Sequence, residues 1–243
     1  MHVNHRRWVL LLGTLLTALV TARLGWWQLD RAGQKNALHD AQEAQRALPP
    51  LLVGDLTRLQ PAAVPMHRAV RLQGRWSVAH TVYLENRQLD GRPGFFVLTP
   101  LLLDGGRAVI VQRGWLPRDN NDRTRVAPVP TPPNVVGLQG RIAPPPSRLY
   151  DFAGGATGPI RQNLDLGEFE RETGLALLPF TVLQEAAVAA AQDGLQRDWP
   201  KPAANVHKHY GYAFQWFALS ALVIGLYVWF QLVNPWRARR RKP

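Results

Sequence analysis

Residues 209–236, HYGYAFQWFALSALVIGLYVWFQLVNPW, contain no Lys, Arg, Asp or Glu over 28 residues. A helix of this length is long enough to cross the hydrocarbon core of a bilayer, which is about 30 Å thick. Aromatic side chains lie near both ends of the run, with Tyr210 and Tyr212 at one end and Trp229 and Trp236 at the other. Such belts are typical of membrane interfaces. The run predicts a transmembrane helix at residues 209–233 and excludes a simple cytosolic enzyme.

A second apolar run lies near the start of the chain. Residues 8–22 form a run of 15 residues, close in length to the core of a cleaved signal peptide, with the small-residue segment 20–22 as the cleavage site. The run continues past Arg23 to Leu29, which gives 22 residues. These residues span a bilayer if the Arg23 side chain extends to the headgroups. We favour a retained transmembrane helix at 8–29, so the mature protein is expected to begin at or near Met1.

The basic residues are concentrated at the two ends of the chain. The formal net charge of +12 comes from 29 Lys and Arg against 17 Asp and Glu, and seven of the basic residues lie in the tails 1–7 and 237–243. Basic residues beside membrane spans set topology, so this excess is not a signature of nucleic-acid binding. Both termini, 1–7 and 234–243, are predicted to be cytoplasmic. Residues 30–208 then lie in the periplasm, and the protein is a multi-pass protein of the cell inner membrane.

Between the spans the pattern is that of a turn-rich β domain. Residues 30–47 are rich in helix formers and predict a polar helix, ended by Pro49-Pro50. Short apolar segments separated by Gly, Pro, Asn and Asp predict strands at 69–76, 81–86, 95–103, 108–115, 136–142 and 178–183. The turn sequence Asp104-Gly105-Gly106 predicts a hairpin, and residues 164–173 suggest a short helix. The predicted fold is a membrane-anchored α+β protein. In it, two transmembrane helices flank a mainly β extracytoplasmic domain, either a small barrel or a sandwich.

Motifs of catalysis are missing from the sequence. It holds no H-E-x-x-H and no G-x-S-x-G, and the glycine-rich residues 154–158 lack the Lys-Ser/Thr of a phosphate-binding loop. With no cysteine, it also has no disulfide framework and no thiolate metal site. Two spans are too few for a polytopic transporter. The chain is therefore predicted not to be an enzyme.

One face of the second span carries candidate binding residues. His209, Tyr212 and Trp216 are three and four positions apart, so they share a helix face that starts at the outer membrane boundary. The face is either an aromatic belt with an interfacial histidine, or a ligand face. In the second case a neutral imidazole coordinates a metal such as haem iron and the indole packs on the macrocycle. The outer end of the first span, with Gln28 and the arginines at 23 and 31, lies at the same depth. These arginines can pair with lipid headgroups or with haem propionates.

Three blocks of sequence resemble the Surfeit locus protein one family of cytochrome c oxidase biogenesis factors. Residues 25–31, GWWQLDR, are similar to the family's G-x-W-Q-L-x-R, and residues 111–117, VQRGWLP, to its V-N-R-G-W-V-P. Residues 209–217, HYGYAFQWF, are similar to its H-x-x-Y-A-x-Q-W-F. Gln112 departs from the usual Asn. The blocks lie in order at the start, middle and end, so the resemblance covers nearly the whole chain.

The resemblance implies an assembly factor without catalytic turnover that binds or delivers haem a to oxidase subunit I. Its partners would be cytochrome c oxidase subunit I, other oxidase biogenesis factors and the lipid bilayer, with no nucleic acid. In bacterial members a second-span histidine and the tryptophan seven residues later are linked to haem a, which maps onto His209, as axial ligand of the iron, and Trp216. Tyr212 lies between them. The alternative is a membrane-anchored structural chaperone for oxidase subunits that does not bind haem.

Overall fold

The computed structural model describes residues 2–119, 122, 126–150, 158–185, 193–199 and 206–240. It divides into a helical unit, drawn from Met1–Asp40 and Pro200–Pro243, and a β unit, Ala41–Trp199. In chain order the elements are α1 (His2–Ala47), β1 (Leu51–Leu52), α2 (Val53–Leu56), β2 (Ala69–Trp76), β3 (Val82–Leu89), β4 (Arg92–Leu103), β5 (Arg107–Pro117), β6 (Val136–Ala143), β7 (Ile160–Arg161), α3 (Leu166–Thr173), β8 (Ala176–Gln184), α4 (Val206–Val228) and α5 (Asn234–Arg240).

The helical unit contains two helices that are long and apolar enough to cross a membrane. They lie within His5–Ala47 and Val206–Arg237. Large apolar side chains on both helices, such as Leu16 and Phe214, are exposed. An exposed apolar surface costs free energy in water and none in lipid, so it fits a bilayer environment. The two helices thus indicate a membrane protein. α1 continues without a break through the predicted polar helix to Ala47.

The second membrane helix differs in detail from the uniform helix predicted at 209–233. It begins three residues earlier, at Val206, and a π-helical turn at Trp229–Val233 separates α4 from α5. Pro235 follows this turn. Proline has no N–H to donate to the carbonyl of Gln231, and its ring collides with that carbonyl in a regular helix. A widened turn is one way to accommodate such a break.

The β unit is a closed five-stranded barrel, which decides between the barrel and the sandwich. The closed order is β2-β6-β8-β5-β4, with β2 pairing again with β4. Closure rests on three residue pairs, Gly74 to Leu103, Arg75 to Leu102 and Trp76 to Leu101. The earlier part of β4 pairs with β3 instead. A strand of 12 residues is therefore shared between the barrel wall and an added hairpin.

β5 carries the longest buried apolar run of the barrel. Val109 and Val111 pack into a core cluster with β2, β6 and β8. Ala108 and Ile110 point to the other face, into a second cluster that includes Phe169 of α3. Because both faces of β5 are covered, its sequence AVIV is continuously apolar rather than alternating. Each fully buried large apolar side chain contributes about 1.5–3 kcal/mol to folding.

The strands follow the predicted positions closely. All six predicted strands are present, and the predicted hairpin is β4–β5 with its turn at Asp104–Gly106. The predicted helix 164–173 begins at Leu166, because the Asp165 carboxylate caps it by accepting hydrogen bonds from the backbone N–H groups of Gly167 and Glu168. Most of the glycine-rich loop predicted at 154–158 and of the segments predicted at 185–196 and 198–205 lies outside the described residues.

Candidate functional site

The two long helices pack through small side chains spaced seven residues apart. On α4 the buried residues are Val206, Ala213 and Ser220. On α1 the matching buried residues are Ala18, Gly25 and Ala32. A seven-residue spacing keeps one stripe of each helix facing the other. Small residues such as Ala and Ser are common where helices pack against each other in membranes.

His209 lies beside this stripe, where residues 25–31 of α1 meet residues 209–217 of α4. Its Nδ1 atom is 2.8 Å from Oε1 of Gln28 on α1. His209 and Gln28 are both half-buried. Eight residues after Gln28, Asn36 donates a hydrogen bond of 3.3 Å to the hydroxyl of Tyr210. The blocks 25–31 and 209–217 therefore form one interhelical contact region.

Aromatic packing adjoins the His209 contact on one side. The rings of Trp26 and Phe217 lie edge to face, with centroids 6.0 Å apart. A Cβ atom built on Gly25 would be 2.8 Å from the Phe217 ring, closer than atoms can pack. Only glycine at position 25 leaves room for this ring. Further along, Ser220 donates a hydrogen bond of 3.0 Å to the carbonyl oxygen of Ala18, which also fixes the helices against each other.

The three residues predicted for the site are placed differently. His209 and Trp216 are half-buried, whereas Tyr212 is 52% exposed. Two helical turns separate His209 from Trp216, so they lie on nearly the same side of α4, with Tyr212 about 60° away. Within the part of the chain that the structure describes, only His209 of the three makes a hydrogen bond to α1.

The donor set restricts the kind of metal group that could bind here. Among the described residues, no three His, Cys, Asp or Glu side chains cluster to hold a metal ion. A bare zinc ion takes three or four protein ligands. Haem iron receives its other bonds from the macrocycle and needs only one or two axial ligands. Among the described residues, the half-buried His209 is not part of a group of three such ligands.

The middle sequence block has a different environment, deep in the barrel. Arg113 is 3% exposed and its guanidinium lies 4.9 Å from the centroid of the Trp76 ring. It donates hydrogen bonds of 2.6 Å to Thr131 and 3.1 Å to the carbonyl of Pro130, and it pairs with Asp193 at 3.5 Å. Burial lowers the pKa of Arg113, and the Asp193 carboxylate opposes that shift. Arg113 thus fastens two loops to β5.

The next two residues of the block bind the same returning segment. The backbone N–H of Trp115 donates to the carbonyl of Gln196 at 2.7 Å, and the backbone N–H of Gln196 donates to the carbonyl of Trp115 at 2.9 Å. A Cβ atom on Gly114 would be 2.7 Å from Cβ of Leu195, so glycine allows this close approach. The Trp115 indole N–H donates to the carbonyl of Arg87 at 2.9 Å. Residues 113–115 are therefore architectural and hold segment 193–199 on the barrel.

Comparison with known proteins identifies the family. A model of the SURF1 family matches residues 15–221. The chain belongs to the SURF1 family. It is 26% identical over 219 residues to a SURF1-like protein of Rickettsia bellii, covering 89% of this chain and 88% of that protein. It is also 25% identical over 217 residues to a SURF1-like protein of Rickettsia felis, covering 88% and 93%.

Membership of the SURF1 family confirms the resemblance read from the three blocks. The family consists in general of cytochrome oxidase assembly factors that are not enzymes. This chain accordingly belongs in the context of oxidase assembly. Family membership does not say which residues would bind a cofactor. The contacts between α1 and α4 are the observations that bear on this question.

Some residues of the contact region were not predicted from the sequence. The sequence predicts Gln28 at the depth of His209, but it does not predict the hydrogen bond between them, the packing of Phe217 against Gly25 or the hydrogen bond of Ser220. A signal does exist in the sequence. Residues 18, 25 and 32 of one helix and 206, 213 and 220 of the other repeat at seven-residue spacing, which is the pattern of two helices in lasting contact.

Proposed function

We propose that this protein is a non-enzymatic assembly factor of cytochrome c oxidase that binds haem a at its helix pair and delivers it to subunit I. His209 would hold the iron and Trp216 would pack against the macrocycle, with Tyr212 as a further binding residue. Besides subunit I, other oxidase biogenesis factors are the expected partners.

The observation that carries this proposal is the position of His209. It is half-buried, bonded through Nδ1 to Gln28, and has no hydrogen bond at Nε2 among the described residues. An imidazole held through one nitrogen, with the other nitrogen unbonded, is the usual arrangement of a histidine ligand. When bound, haem a supplies an iron that accepts the lone pair of such a nitrogen. The helix pair contributes an apolar environment and holds the imidazole in place.

Removal of His209 tests the ligand assignment. The protein would be purified from a host that produces haem a, and its absorption spectrum compared with that of His209→Ala. We expect the variant to lose the haem spectrum, since alanine has no lone pair to donate. His207→Ala is the matched control, because His207 is exposed, on the same helix and about 200° around it. All variants must be present in the membrane at equal levels.

The opposite result would change the function. If His209→Ala retains haem with an unchanged spectrum, His209 is not the ligand. If instead the wild-type protein itself carries no haem from such a host, the structural chaperone that does not bind haem becomes the better description.

For the topology, we propose an inner-membrane protein with cytoplasmic tails at 1–7 and 234–243. The transmembrane helices are 8–29 and 209–233, and residues 30–208 form the periplasmic domain. Support comes from the basic residues at both ends and the two apolar helices. A reporter that is active only outside the cytoplasm, inserted at 119–122, is expected to be active. A silent reporter there, together with an active fusion after Pro243, would reverse the orientation.

A further inference from the structure

We propose that Gln28 is a positioning residue that selects the tautomer of His209, keeping the proton on Nδ1 so that Nε2 carries the lone pair. This inference deepens the proposed function, because the lone pair at Nε2 is what an iron atom would meet. The choice of tautomer is nevertheless a property of the haem-free protein and can be measured without haem.

The chemistry of the amide oxygen sets the direction of the hydrogen bond. The atom 2.8 Å from Nδ1 is Oε1 of Gln28. A carbonyl oxygen accepts hydrogen bonds and cannot donate them, so Nδ1 must be the donor. A neutral imidazole has only one N–H, and therefore its lone pair is on Nε2. Free histidine in water favours the other tautomer, so the preference must come from the protein.

Neighbouring contacts hold the two side chains in register. On one side of Gln28, the Trp26 ring packs edge to face on Phe217. On the other side, Asn36 donates to the hydroxyl of Tyr210. Contacts on both sides restrict sliding and rotation of α1 against α4. The amide of Gln28 therefore meets Nδ1 in a fixed geometry.

The surroundings strengthen this bond. Both residues are half-buried between the two helices, where fewer water molecules compete for the amide oxygen than in bulk solvent. A side-chain acceptor on the far nitrogen of a ligating histidine fixes the ring orientation and raises the basicity of the ligand. Loss of such a partner typically costs about ten- to a hundredfold in metal affinity.

The first test uses the haem-free protein. Protein labelled with ¹⁵N-histidine would be made in a host without haem a and studied by NMR at a pH where imidazole is neutral, with His209→Ala to assign the signals. We expect Nδ1 of His209 to have the shift of a protonated nitrogen and Nε2 that of an unprotonated one. Gln28→Glu, which keeps an oxygen acceptor, should retain this pattern, and Gln28→Met, which removes it at similar length, should shift His209 towards the Nε2–H tautomer.

The matched control is Gln34→Met. Gln34 is also a glutamine of α1, but it is exposed and bonds only within its own helix, to Arg31 and Asp30. Its loss should leave the His209 signals unchanged. The inference is overturned if wild-type His209 is protonated at Nε2. It is also overturned if Gln28→Met keeps the proton on Nδ1, because Gln28 would then only tether the helices.

The second test uses protein purified from a host that produces haem a. Gln28→Met is expected to lower haem affinity about ten- to a hundredfold, and so to lower the haem occupancy of the purified protein. Gln28→Glu should keep the haem occupancy of the wild-type protein. It should also raise the iron–histidine stretching frequency in the resonance Raman spectrum, since a carboxylate makes the imidazole more basic. If the NMR result is as expected but the wild-type protein carries no haem, the role of Gln28 stands and the proposed haem function fails. If haem binds but both Gln28 variants leave occupancy and frequency unchanged, the role of Gln28 fails alone.

Discussion

Arg113 of the barrel and His209 of the helical unit are both polar residues in sequence blocks of the SURF1 family, yet their environments differ. Arg113 is 3% exposed, and both of its terminal nitrogens bind loops that return to β5. His209 is half-buried and binds a single side chain of another helix. The buried Arg113 side chain holds loops of the barrel together, whereas His209 is only half-buried and contacts a side chain of the other helix. Burial therefore distinguishes two residues that their sequence blocks do not distinguish.

The two regions also differ in how they are stabilised. The barrel is held by large buried clusters around β5, whose loss costs several kcal/mol per side chain. Within the helical unit, a hydrogen bond such as that from Ser220 to Ala18 contributes only about 0.6 kcal/mol on average in membranes. Substitutions in the first region should therefore unfold the protein, and those in the second should change binding.

The largest expected effect is that of Trp115→Ala. Removing a fully buried indole and its hydrogen bond to Arg87 should lower the free energy of unfolding of the barrel by about 3–5 kcal/mol. Denaturant unfolding in detergent would measure it. Trp229→Ala is the matched control, because Trp229 is an exposed tryptophan of the helical unit. Equal losses in the two variants would remove the distinction between the regions.

Gly114→Ala should have the next largest effect. The new methyl group would collide with Leu195 and the carbonyl of Gln196, so segment 193–199 must shift, at a cost of about 1–3 kcal/mol. Denaturant unfolding would measure the loss of stability, and the rate of proteolysis within that segment would measure how far it is loosened. Gly137→Ala should be nearly neutral, since a Cβ there meets nothing within 4 Å. A neutral Gly114→Ala would contradict the role given to this block.

Trp216→Phe should affect the helical unit alone. If Trp216 packs on the macrocycle as proposed, loss of part of its aromatic surface should weaken haem retention by about twofold to tenfold, corresponding to about 0.5–1.5 kcal/mol. The spectrum of the remaining haem should stay recognisable, because His209 is still present. Haem content per protein would be measured against Trp229→Phe as control. Full retention in Trp216→Phe would place the haem away from this face.

The smallest expected effect is a pH dependence of the barrel from His67. Burial, and then the charges of Arg141 and Arg46, lower the pKa of His67 below its usual value of 6.5. The unfolded chain therefore binds a proton at a higher pH than the folded one, and stability falls as pH decreases below about 6.5 until the folded pKa is reached. His67→Asn should flatten this dependence below about pH 6.5. Asn also tolerates the positive φ of 68° at this position. An unchanged slope would show that other groups cause it.

Much of the fold follows from local sequence. The membrane helices, the six strands and the β4–β5 hairpin are set by apolar runs and turn residues that act over a few positions. The short helix starts at Leu166 because Asp165 caps it. In the site, the spacing of His209 and Trp216 placed both on one helix face. The exposure of Tyr212 did not follow from spacing, because it depends on where α1 lies.

The sequence by itself determined that one apolar helix precedes a β domain in the chain and another follows it, and that three blocks belong to one family. Tertiary structure alone decided that the β domain closes as a barrel, through pairing of Gly74–Trp76 with Leu101–Leu103. It also decided that Gln28 meets His209 across 181 positions of sequence, and that Arg113 is buried rather than free. The physical reason is the separation along the sequence of the residues that interact. Propensity and periodicity describe neighbours along the chain, whereas strand closure, hydrogen-bond partners and burial depend on residues that only folding brings together.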